Sequence, residues 1–122
     1  MKRSAFVDYV VQDLFSELDG VRSRAMFGGH GIYKNDVMFA IIVDDELYFK
    51  ADATNRMDFE KHGSRYFTYE SRGKPVTMSY REVPAEVMDD RPEIMRWAKK
   101  SFEIADKFQR TSSKRGGGKG WR

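Results

Sequence analysis

The chain has 122 residues, the length of one domain, and its 40% apolar and 14% aromatic content argues against a disordered chain. It contains no cysteine, which excludes disulfides, cysteine-ligated zinc and a thiol nucleophile. The net charge of +3 belongs to one end: residues 110–122 hold five bases and no acid, so residues 1–109 set 17 bases against 19 acids. A basic body would imply a nucleic-acid face, and this body is slightly acidic. No run of about 18 apolar residues is present, so no membrane span is expected. The first residues, MKRSAFVDYVVQDLF, carry acids among their apolar positions and lack the pattern of a signal peptide.

Ser4 is placed to cap a first helix whose apolar positions, Val7, Val10, Val11, Leu14 and Leu18, recur at helical spacing, with Gly20 as its stop. Residues 24–27 and 31–34 then read as short strands, and Asn35-Asp36 as a turn. The run VMFAIIV over 37–43 has the composition of a strand buried on both faces. Asp44-Asp45-Glu46 is a polar turn, and 47–52 is its partner strand. Residues 54–62 suit a short helix closed by Gly63. Strands at 66–70 and 75–83 flank the turn Ser71-Arg72-Gly73, and in the second Val76, Met78 and Tyr80 alternate with Thr77, Ser79 and Arg81, leaving one face wet. Asp90 caps a last helix, with Glu93 in capping-box position and Ile94, Trp97, Ala98, Phe102, Ala105 and Phe108 as its apolar stripe. The expectation is an α+β domain over 1–109, an antiparallel sheet of about five to six strands with N-terminal, middle and C-terminal helices. A flexible basic Gly/Ser-rich tail over 110–122 follows.

The segment RAMFGGHGIY, residues 24–33, places Gly28, Gly29 and Gly31 around His30. It lacks the spacing of a Walker loop or a dinucleotide fingerprint. Backbone amides there could still form an anion nest, but a bend with close backbone approach explains the glycines more simply. His30 and His62 fall on different elements outside any metal-binding spacing, which points to surface or loop positions. No nucleophile–base pair stands out, and neither a metal nor a cofactor is expected. Met26, Met38, Met78 and Met95 read as core filler. Arg24 and Lys50 flank apolar strands as polar edge residues with snorkelling stems. In the tail, Arg110, Lys114, Arg115, Lys119 and Arg122 could contact phosphates while Trp121 stacks on a base.

RAMFGGHGIY, then DVMFAIIVDDELYFKAD, then PVTMSYREVP, in that order, resemble the N-terminal domain of the TfoX/Sxy competence-regulator family. The resemblance implies a bacterial, cytoplasmic α+β domain of secretion-chaperone-like fold, a fold that pairs into homodimers through sheet or helix faces. Members of the family are linked to transcriptional activation of DNA-uptake genes and are not known as enzymes, so no catalytic residue is carried over. Members carry a second domain after this one, and the chain reads as a stand-alone version of the first. The resemblance therefore implies a non-enzymatic regulatory or adaptor domain that contacts a protein partner, such as transcription machinery. The candidate partner surface is the glycine bend: Arg24, Gly28, Gly29, His30, Gly31 and Tyr33, with Lys50 nearby if the strands pair as read. Two alternatives stay open: nucleic-acid binding through the tail, and a small-molecule or enzymatic site at the bend.

Overall fold

A computed structural model describes residues 4–26 and 28–114. Ser4 caps helix α1, Ala5–Tyr9, its hydroxyl accepting the Val7 amide at 3.2 Å. The helix then widens into a π-turn, Val10–Leu14, marked by the Phe15 amide bonding to the Val10 carbonyl five residues back. The wider turn brings the consecutive residues Leu14 and Phe15 into the core together. The helix therefore stops well before Gly20. Gly20 instead leads into the first strand with a positive φ, and its carbonyl accepts the Asn35 amide.

Six strands follow: β1 Val21–Met26, β2 Gly29–Lys34, β3 Val37–Val43, β4 Glu46–Lys50, β5 Tyr66–Ser71 and β6 Lys74–Glu82. They form one antiparallel sheet in the order β1-β2-β3-β4-β6-β5. Helix α2, Arg56–Glu60, lies between β4 and β5. A short helix α3, Ala85–Met88, which the sequence pattern did not suggest, precedes the long α4, Arg91–Lys114. Asp90 caps α4 by accepting the Glu93 amide at 3.3 Å. The Glu93 carboxylate turns to Arg96 and Trp97, so the reciprocal half of a capping box is replaced by side-chain pairs. Helix α4 runs past the 109/110 boundary, so residues 110–114 are helical where a flexible run was expected.

One sheet face packs on the helices. Phe15, Phe39 and Phe49 meet there with ring centroids 5.6–6.1 Å apart, joined by Val10, Ile42 and, from α4, Ile94 and Ala98. A bulge between Ile32 and Tyr33 sets Phe39 and Ala40 together in this cluster. The other face carries a second cluster of Met38, Ile41, Tyr48, Met78 and Tyr80, with Met26, Tyr33, Val43 and Phe67 against it. Strand β3 is thus buried on both faces, as its composition implies.

Candidate functional site

The glycine segment builds a turn and then a strand. Gly28 supplies the positive φ between β1 and β2. Gly29 and Gly31 lie within β2, where they permit close approach. A Cβ at Gly29 would collide with the Ile42 carbonyl, and one at Gly31 would sit 2.7 Å from the Met38 sulfur and 2.8 Å from that of Met26. Register places Arg24 opposite Gly31 and Arg22 opposite Tyr33. Arg24, Gly31 and Tyr33 therefore share the face that holds the second cluster.

Two of the expected surface residues lie elsewhere. His30 is opposite Ile42 and shares the helix-side face with Ile32, buried inside a strand, where a loop or surface position was expected. Lys50 is not beside the bend. Gly31 aligns with Ile41 and Tyr48, and Lys50 lies two residues farther along β4, about 12 Å from Gly31 by strand spacing. Its position is also far from a snorkelling edge. The side chain is 5% exposed, its ammonium donates to the Ser79 hydroxyl at 2.7 Å, and the Tyr80 and Phe108 rings lie 5.3 and 4.5 Å away. Burial lowers its pKa below the ordinary lysine value.

Arg22, overlooked in the sequence, stands over the Tyr33 ring at 5.4 Å and pairs with Asp36. Strand register was needed to find it. On the same face, burial and then a hydrogen bond to Glu46 push the Tyr48 hydroxyl up to about 12. Burial, and to a lesser extent Tyr33, keeps Tyr80 protonated well above the ordinary tyrosine range. His62 bonds through Nδ1 to Glu86 at 2.9 Å beside Trp97. Among the described residues no three His, Asp or Glu side chains group as a metal site. None of the described helices is long and apolar enough to cross a membrane.

Arg81 departs most from its expected place. Alternation put it on a wet face, yet it is 6% exposed. Its Nη2 donates to the Ser64 carbonyl at 2.7 Å, and its guanidinium lies 4.3 Å from the Tyr66 ring centroid. With Arg56 and Tyr66 it lines a cavity of about 240 Å³.

Of the tail candidates, Arg110 is on α4 and pairs with Asp106 at 3.2 Å, and Lys114 ends that helix. Arg115, Lys119, Trp121 and Arg122 lie outside the described residues.

The model of the TfoX N-terminal domain matches residues 13–105, spanning all six strands and most of α4. The chain belongs to the TfoX N-terminal domain family. Among relatives of this TfoX N-terminal domain is Protein Sxy of Escherichia coli, 28% identical over 107 residues, covering 88% of this chain and 51% of the relative. Another is the DNA transformation protein TfoX1 of Aliivibrio fischeri, 25% identical over 103 residues, covering 81% and 49%. The chain spans about half the length of each relative. The family match takes in both the Arg24–Tyr33 face and the Arg81 cavity.

Proposed function

We propose that this domain is a non-enzymatic regulatory module that acts in the cytoplasm by contacting a protein partner in the control of DNA transformation. Membership of the TfoX N-terminal domain family carries this reading, together with a relative named as a DNA transformation protein. Arg22 and Arg24, exposed on the edge strand β1 and flanking the half-buried Tyr33, supply a contact surface. Cations beside an aromatic ring suit an acidic partner segment with an apolar anchor.

The test is affinity capture from a bacterial lysate, nuclease-treated and untreated, with the wild-type chain and an Arg24→Ala/Tyr33→Ala variant. The expected outcome is a protein captured by the wild type and lost by the variant, while the two chains show the same circular dichroism. Equal capture would move the contact off this face. Capture that disappears with nuclease treatment of the wild type would favour nucleic acid as the partner.

A further inference from the structure

The cavity beside β6 is lined by Ala51, Asp52, Arg56, Tyr66, Ser79 and Arg81. Its base is a buried guanidinium with incomplete hydrogen bonding. Arg81 Nη2 is satisfied by Ser64, whereas Nε and Nη1 have no hydrogen-bond partner among the described residues. The Glu60 carboxylate approaches Nη1 only to 3.5 Å, and the same oxygen is 3.9 Å from Arg56 Nε. Glu60 is thus spread across two arginines without closing a bidentate pair on either, the geometry in which a guanidinium binds an anion best. Buried donors left without acceptors are rare in folded proteins.

The surroundings favour negative charge. Three cations, Lys50, Arg56 and Arg81, stand in or beside the cavity against two carboxylates, Asp52 and Glu60. Asp52 is already engaged by the amide and hydroxyl of Thr54 at 2.7 and 2.6 Å. Asn55 holds the loop in shape, accepting the Asp52 amide and donating to the Lys50 carbonyl. The half-exposed ring of Tyr66 covers the Arg81 guanidinium and also lines the cavity.

We infer that the Tyr66 ring swings off the buried Arg81 guanidinium and that the cavity then binds the carboxylate or phosphate group of a small anionic compound between Arg56 and Arg81. Its volume of about 240 Å³ is below the roughly 300 Å³ where pockets for drug-sized ligands begin, a size suited to a small anionic group. The site lies at the β4–β6 side of the sheet, apart from the Arg24–Tyr33 face on β1 and β2.

The experiment is a ¹H–¹⁵N titration of the full chain, following the Arg81 Nε–H and the Tyr66 amide. Inorganic phosphate and succinate are the probes in separate arms, with chloride at matched ionic strength as control. A saturable shift of both signals with phosphate or succinate, absent with chloride, is expected, and the stronger arm identifies the head group. Arg56→Gln, at a half-exposed position where folding is not at stake, should weaken the binding about tenfold while leaving capture through the Arg24–Tyr33 face unchanged. A response that is linear in all three salts, an absent response, or one unchanged in R56Q overturns the assignment.

Discussion

Gly29 and Gly31 sit two residues apart in one strand and meet different obstacles. A Cβ at Gly29 strikes the Ile42 carbonyl, part of a neighbouring strand that is fixed by its own ladder. A Cβ at Gly31 meets the sulfurs of Met38 and Met26, near the ends of flexible side chains that can turn aside. Overpacking against backbone costs more than overpacking against a mobile side chain. Gly29→Ala should therefore lower stability by about 2 kcal/mol, and Gly31→Ala by less than about 1 kcal/mol. Urea unfolding of both variants checks this, and an equal or reversed order would contradict the described approach of β2 to β3.

Three of the hairpins share one kind of turn. Asn35-Asp36, Asp44-Asp45 and Arg72-Gly73 are each two-residue connections with both residues at positive φ. Such turns match the twist of the strands they join, and they favour Asn, Asp and Gly. Arg72, at φ 54°, is the exception among their first residues. The left-handed region is uncomfortable for a long side chain, and Asn tolerates it through local hydrogen bonds. Arg72→Asn is expected to raise stability by about 0.5 kcal/mol. A lower urea midpoint for R72N would show that Arg72 makes a contribution beyond its backbone angle. At the other element boundary, α4 continues past Gln109 because extending an existing helix adds a hydrogen bond for each residue fixed, and residues 110–114 contain no Gly or Pro to stop it.

At the scale of the whole molecule, three buried groups on the sheet set the response to alkaline pH. The Tyr48 hydroxyl ionises near 10 when unfolded and near 12 when folded, and Tyr80 is shifted in the same direction. The unfolded chain then loses protons that the folded chain keeps. Both contributions to stability are complete below pH 10; that of Tyr48 is lost as the pH rises from 10 towards about 12, and that of Tyr80 falls over the same range and beyond it. Lys50 acts oppositely. Its folded pKa is lowered, so between that value and 10.5 the unfolded chain holds a proton that the folded chain has released, and stability rises with pH. Urea midpoints between pH 8 and about 11 should fall above pH 10 in the wild type. The fall should be shallower in Tyr48→Phe and steeper in Lys50→Met. Parallel curves for the three chains would mean that neither side chain is buried as described.

The amino-acid sequence by itself determined the segments. Turn residues, apolar alternation and the cap at Asp90 act over a few residues, so the six strands, the middle helix and the final helix were legible, as was the α+β class. The tertiary structure decided what depends on neighbours far along the chain. Alternation alone assigns Arg81 to a wet face, but the α2 segment and Tyr66 close over that end of the sheet and bury it. Lys50 stands apart from the glycine bend because β4 pairs with β3 and β6, which places it two strands from β2. His30 faces the core through the register of β2 against β3. The Arg56–Arg81 cavity escaped notice for the same reason: its residues come from four separate segments, and only the folded sheet sets their charges side by side.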